Sequence, residues 1–224
     1  MPVITVTDLR HLFGDARNQG QRPTCLAFAA SDANAALRGA WVPLSCEYIF
    51  CKAQARGNKL PTQGASLSHM LDALRDDGQP EEAGWPYLAV SPDHANWNPP
   101  AKVGALFRCR GGTIPLGDVI DNLNQGWPVI LLSYLSDSFY VPSPEAVVTP
   151  AANENPDPHR RHAIVAAGHG TWNGEQVVLV RNSWGAGWGD RGYAWLTKSF
   201  LAPRLYAAAV LTENVDVPAD PLAA

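Results

Sequence analysis

Apolar residues crowd every side of the stretch "TCLAFAASDANAALR", residues 24–38, and Gly39 follows it. That pattern predicts a deeply buried helix, with Thr24 as N-cap and the glycine as its stop. Residues 45–56 and 65–77 also read as helices, the second with Leu67, Met70, Leu71 and Leu74 on one face. From about residue 110 the pattern changes. The runs "PVILLSYL", "HAIVAAGHG", "EQVVLVRNSWG" and "GYAWLTKSFL" are short and strand-like, separated by Gly, Asn and Pro. A helical first half followed by a β-rich second half predicts an α+β arrangement in two lobes. Residues 141–161, "VPSPEAVVTPAANENPDPHRR", read as a long Pro- and Asn-rich loop, of a length that is usually functional or mobile. The tail after about Leu211 reads as poorly ordered. There is no internal repeat and no low-complexity tract.

Composition narrows the function classes. The 224 residues are 46% hydrophobic and 17% charged, a globular balance with room for a sizeable core. The net charge is −4 and no Lys/Arg run stands out, so no nucleic-acid partner is expected. The apolar runs are too short to span a bilayer, so no membrane insertion is expected. The N-terminus "MPVITVTDLRHLFG" has no basic segment leading into an apolar one, and the chain reads as cytoplasmic.

Four cysteines, Cys25, Cys46, Cys51 and Cys109, lack metal-finger spacing, and no metal or cofactor is expected. Cys46, Cys51 and Cys109 read as reduced core thiols. Cys25 has three readings: a small buried hydrophobe, half of a disulfide, or a nucleophile. It falls in the first turn of the predicted helix, where positive potential lowers a thiol pKa. A thiol nucleophile also needs a base and a group that orients the base. His162 opens the run "HAIVAAGHG", and "EQVVLVRNSWG" follows a turn near Asn173 and Gly174. In an antiparallel pair His162 and Asn182 lie at the same end, where the Asn182 carbonyl accepts from the imidazole and fixes its tautomer. Trp184 covers that hydrogen bond from water. Singly, each residue has a plainer reading. Cys25 would be core, Gln19 a surface amide, and His162 a satisfied strand histidine or, with His159, a weak H-x-x-H metal pair. Asn182 would be a turn residue, while Trp184, Trp188 and Trp195 would be core aromatics. Arg160 and Arg161 read as a solvated basic turn. The combination in order and spacing favours catalysis.

These segments resemble the papain-like cysteine proteases. "NQGQRPTCLAF" resembles that family's N-Q-G-x-C-G-S-C-W-A-F, "HAIVAAGHG" its histidine strand, and "RNSWGAGWGDRGYAWL" its N-S-W-G-x-x-W-G-x-x-G-Y. "GASLSHMLDALRDDGQPEEAGWPY" resembles its middle helix and the turn after it. The resemblance implies one catalytic domain over 1–212. A helical lobe (roughly 21–109) would face a β-barrel-like lobe (roughly 110–212 with the N-terminal segment) across an active-site cleft, and 213–224 would be a disordered tail. It implies a cysteine endopeptidase with a polypeptide substrate, in which Cys25 is the nucleophile, His162 the general base and acid, and Asn182 the orienting group. Gln19 would donate to the oxyanion together with the Cys25 N–H. The thiol pKa would be about 3–4 rather than about 8.5. Ala163 would border a substrate pocket, and Gly64 is the nearest candidate for the strip that pairs with substrate backbone. Arg22 stands where the family has a bridging cysteine, which removes the disulfide reading of this stretch, and Leu26 replaces a tryptophan. Cys25 lies 24 residues from Met1, which suggests a bacterial-type member without a propeptide, restrained by narrow specificity or by the 141–161 loop as a cover. Acyl transfer from the same thioester, and a non-catalytic peptide-binding module, are the alternative readings.

Overall fold

The computed structural model describes residues 2–216, and the chain divides into two compact units. Among the described residues, one holds 19–112 and 211–216, the other 2–18 and 113–210. Three helices of ten or more residues are α1 (Cys25–Ala36), α2 (Cys46–Arg56) and α3 (Leu67–Asp76). The strands are β1 (Ile4–Asp8), β2 (Phe107–Ile114), β3 (Val129–Leu135) and β4 (Val147–Val148). They continue with β5 (Asp157–Trp172), β6 (Glu175–Arg181), β7 (Tyr193–Thr197) and β8 (Leu205–Asp216).

The helical unit is organised by α1. Every residue from Leu26 to Ala36 is buried, Ser31, Asp32 and Asn34 included. Buried polar groups must be paired, and Gln79 supplies much of the pairing. Its Nε2 donates to Ser31 Oγ (2.7 Å) and to the Ser45 carbonyl (2.9 Å), and its Oε1 accepts from Asn34 Nδ2 (3.2 Å). The helix ends two residues before the expected Arg38. The Arg38 N–H turns to the Ala35 carbonyl in an i→i−3 bond (3.2 Å), and Gly39 takes a φ of +73°. Ser45 caps α2 by accepting from Tyr48 N (3.0 Å). On α3 the buried face is Met70, Ala73 and Leu74, while Leu67 and Leu71 are half-buried. Residues 107–112 of β2 and residues 211–216 of β8 complete this unit, the rest of each strand belonging to the other.

The other unit is a mainly antiparallel sheet in the order β8-β3-β5-β6-β7-β4, with β1 on β5. The expected barrel-like closure is absent among the described residues. Terminal β4 has two residues and runs parallel to β7 (Val147↔Trp195, Val148↔Leu196), too short to carry the sheet round to β8. The β5–β6 hairpin turns at Asn173 (φ +50°) and Gly174 (φ +81°), the left-handed pair that a two-residue hairpin loop requires. This turn sets the register from Trp172↔Glu175 to Gly168↔Leu179, and an irregularity between Ala166 and Gly168 then shifts it by one residue to Ala166↔Val180 and Val165↔Arg181. The core beneath includes Leu131, Phe139, Ile164, Val180, Trp188, Leu196 and Phe200.

Two expectations from sequence need correction. Residues 141–161 are not one loop. They contain β4, whose Val147 and Val148 are buried in the sheet, and the first five residues of β5. The turn between them is tied down by Glu154. The Glu154 carboxylate accepts from Ser138 N (2.7 Å), Ser138 Oγ (2.6 Å) and Ala151 N (2.7 Å). Part of the expected tail is also strand, since β8 continues to Asp216. Residues 217–224 lie outside the described residues.

Partial burial pushes the Glu154 carboxyl up, but hydrogen bonds from Ser138 and Ala151 outweigh it and hold the pKa at about 2, against an ordinary 4.5. A depressed folded-state pKa stabilises the fold above the unfolded value, and that stability drains away as pH falls from about 4.5 to about 2. Glu154→Gln is therefore expected to cost about 2 kcal/mol at neutral pH. The gap to wild type should close toward pH 2, as read by urea unfolding across pH. A pH-independent gap would remove the charge from the explanation.

Candidate active site

His162 and Asn182 are brought together within the sheet unit. The buried stretch of β5 begins at His162, which pairs with Ser133 on β3. Asn182 directly follows β6, and its N–H is fixed by the Gly192 carbonyl (2.9 Å). His162 Nε2 and Asn182 Oδ1 lie 2.7 Å apart, and Ser183 N donates to the same oxygen (2.8 Å). A backbone N–H can only donate, so the amide oxygen must face both groups. A flipped amide would set donor against donor. Nε2 is then the protonated nitrogen of His162, and Nδ1 is left as the basic one.

An aromatic enclosure keeps this hydrogen bond dry. The Trp184 ring lies 4.9 Å from the imidazole and Phe139 5.8 Å from it, edge-on. Phe139 also meets Trp184 at 5.3 Å and Trp188 at 5.0 Å, and Tyr140 stacks on Trp184 at 5.3 Å. Trp188 donates its indole N–H to the Phe139 carbonyl (2.9 Å). Burial pushes the His162 imidazole down to about 4, although the Asn182 hydrogen bond pulls it the other way. On its own, then, this histidine is neutral at pH 7.

Cys25 and Gln19 belong to the helical unit. Cys25 is the first residue of α1 and is half-buried, with no acidic side chain in the first turn to offset the helix N-terminal potential. Thr24 is fully buried but does not cap through its side chain; its hydroxyl lies 2.8 Å from Tyr87 Oη. Gln19 is buried, and its Nε2 donates to the Arg22 carbonyl (2.9 Å). The Gln19 carbonyl accepts from Tyr87 Oη (2.8 Å).

Of the candidate substrate residues, Gly64 lies in an exposed loop whose carbonyl accepts from Lys59 Nζ (3.0 Å). Ala163 is buried on β5, opposite Leu132. All four cysteines are free thiols, and Cys46, Cys51 and Cys109 are buried. Burial pushes the Cys51 thiol up to about 11 and the Cys109 thiol up to about 12. Arg160 is an exposed residue paired with Asp137 (2.5 Å). Among the described residues no cluster of three His, Cys, Asp or Glu gathers as metal ligands, and no helix is long and apolar enough to cross a membrane.

Phe139, Ser183 and Tyr87 were not singled out from sequence. Phe139 and Ser183 carry no motif of their own. Tyr87 ends the "GWPY" turn, and nothing in that motif signals its contact with Gln19, 68 residues away.

Comparisons with known proteins agree on one family. The family model "Papain family cysteine protease" matches residues 5–202. A "Cysteine protease" of Blomia tropicalis is 25% identical over 195 residues, covering 81% of this chain and 57% of that protein. A "Cathepsin L-like peptidase" of Aedes aegypti is 30% identical over 194 residues, covering 82% of this chain and 55% of that protein. The chain thus spans little more than half the length of these relatives. Among solved structures, digestive procathepsin L 3 of Tenebrio molitor larval midgut superposes with a TM-score of 0.73 at 20% identity, covering 95% of this chain and 73% of that one. At that identity the likeness bears on the fold, which is papain-like and α+β.

Proposed function

We infer, since the chain belongs to the papain family of cysteine proteases, that it hydrolyses peptide bonds with Cys25 as nucleophile. His162 Nδ1 takes the thiol proton, and the resulting thiolate attacks the scissile carbonyl carbon. The negative oxygen that forms is held by the Cys25 backbone N–H and the Gln19 amide. As the tetrahedral intermediate collapses, the C–N bond breaks and the imidazolium protonates the departing amine. A thioester remains on Cys25. Water, deprotonated by the now neutral His162, attacks that thioester and releases the carboxylate product. Asn182 holds the imidazole in the required tautomer throughout. We assign Gly64 and Ala163 to substrate binding, the first from its exposed loop ahead of α3 and the second from its place beside His162.

One observation carries this reading: the 2.7 Å His162–Asn182 hydrogen bond, polarised by the Ser183 N–H and walled by Trp184 and Phe139. A histidine so fixed presents a single basic nitrogen in a set direction. The test is labelling by a neutral thiol-directed epoxide at pH 7, mapped by mass spectrometry. Modification should concentrate on Cys25, because Cys51 and Cys109 are buried and protonated at that pH. It should disappear in Cys25→Ala along with cleavage of a peptide library. Labelling spread evenly over the cysteines, or cleavage that survives the substitution, would sink the proposal.

A further inference from the structure

The mechanism makes no use of a buried ion pair in the helical unit. Arg22 is 3% exposed and Glu47, on α2, is fully buried. The pair is a two-pronged fork, with Arg22 Nη1 on Glu47 Oε2 (2.5 Å) and Nη2 on Oε1 (3.0 Å). Nη1 also donates to the Leu88 carbonyl (2.6 Å). Glu47 in turn accepts from Trp97 Nε1 (2.7 Å) and Leu88 N (3.1 Å). The guanidinium lies against the rings of Tyr87 (5.0 Å) and Phe50 (5.6 Å).

Net stability is a poor account of such a pair, since desolvating two charges offsets most of their attraction. What the fork provides is fixed geometry. The Arg22 carbonyl accepts from both Gln19 Nε2 (2.9 Å) and Thr24 N (2.8 Å). It therefore orients the Gln19 amide on one side and the residue that leads into α1 and Cys25 on the other. Tyr87 grips the same loop a second time. Its hydroxyl proton goes to the Gln19 carbonyl (2.8 Å), so Thr24 Oγ1 must be the donor in the 2.8 Å contact with Tyr87 Oη. Gly20, at φ +59°, lets the loop double back between these two grips.

We propose that the Arg22–Glu47 fork is a positioning device for the oxyanion donor: through the Arg22 carbonyl it sets the direction of the Gln19 amide. This rests on the reading of Gln19 as that donor. The test uses the chemical difference between two reactions of one thiol. Peptide hydrolysis generates an oxyanion, whereas alkylation by iodoacetamide displaces iodide and generates none.

Wild type, Arg22→Lys, Gln19→Ala and the double variant are assayed for both reactions, with Cys25→Ala as the blank. Gln19→Ala should lose about 10²-fold in kcat. Arg22→Lys keeps the charge but loses the fork, and should lose roughly 10-fold in kcat with KM and alkylation rate within about twofold of wild type. In the double variant, Arg22→Lys should add no more than about twofold to the loss from Gln19→Ala, because both act on one donor. Additive losses, or alkylation falling in step with kcat, would show a merely structural role and overturn the inference. If Arg22→Lys does not fold, as judged by circular dichroism, Glu47→Gln breaks the fork from the other side and carries the same cycle. Should wild type show no Cys25-dependent hydrolysis, the reading of the site itself fails and this inference falls with it. Hydrolysis with an additive cycle defeats the positioning role alone.

Discussion

Cys25→Ala is expected to lower kcat for peptide hydrolysis by on the order of 10⁴-fold or more, with KM little changed. On the proposed role, truncation removes the atom that would bond to the substrate, and Cys46, Cys51 and Cys109 are buried and cannot stand in for it. The same substitution has a second consequence, which isolates the charge state of His162. Burial, partly offset by the Asn182 hydrogen bond, pushes that imidazole down to about 4, so it carries charge at pH 7 only beside an anion. The anion we assign is the Cys25 thiolate. On that assignment the two groups would titrate as a pair in wild type, and an imidazolium is expected at neutral pH. In Cys25→Ala the anion is gone, and His162 should be neutral from pH 7 down to about 4.

The sign of the stability effect follows from where protons bind. An unfolded histidine titrates near its ordinary 6.5, whereas the folded one without its anion waits until about 4. Between those values the unfolded state binds more protons, so Cys25→Ala should lose stability as pH falls from 6.5 to 4, by up to about 3 kcal/mol. Wild type should not show this loss. Histidine nitrogen chemical shifts against pH read the charge directly, and denaturant unfolding at each pH reads the stability. Identical His162 titrations in the two proteins would mean that no thiolate faces the imidazole.

What could be read in the sequence was what short-range rules specify. The Asn173–Gly174 turn dictates a tight hairpin, and the hairpin places the start of "HAIVAAGHG" near the residue after "EQVVLVR". Hence the His162–Asn182 pair was legible without coordinates. So was the position of Cys25, because an all-round apolar run has one obvious beginning. Features set by distant partners were not legible. Arg22 was noticed as the replacement for a cysteine, but its partner stands 25 residues away on α2, in a segment that reads simply as helix. β4 was hidden because two buried valines inside a Pro-rich stretch give no period. The resemblance implies a barrel-like lobe, and sheet closure is absent among the described residues, since strand pairing at the sheet's ends is decided by how many residues reach them.

Phe139 carries no sequence motif, yet it lies at the centre of the aromatic cluster around His162. It is fully buried, and its ring meets His162, Trp184, Trp188 and Phe200 at centroid distances of 5.8, 5.3, 5.0 and 6.3 Å. Phe139→Ala should destabilise the protein by about 3–5 kcal/mol, from lost burial and the cavity left behind. For a chain of this size that corresponds to a drop of roughly 10 °C in Tm. Phe139→Leu keeps most of the volume and should cost less than about 1.5 kcal/mol. The aromatic wall also keeps water from the imidazole. Opening it should let the His162 pKa rise from about 4 toward 6.5, most clearly in the Cys25→Ala background where no thiolate intervenes. The Trp188 indole bond need not break, because it ends on the Phe139 backbone carbonyl, which alanine retains. The two readouts separate packing from solvation. A large loss of stability with an unmoved His162 titration would mean that Trp184 alone keeps the site dry. A rise in the histidine pKa in Phe139→Ala but not in Phe139→Leu would assign that task to the volume of the phenyl ring rather than to its aromatic character.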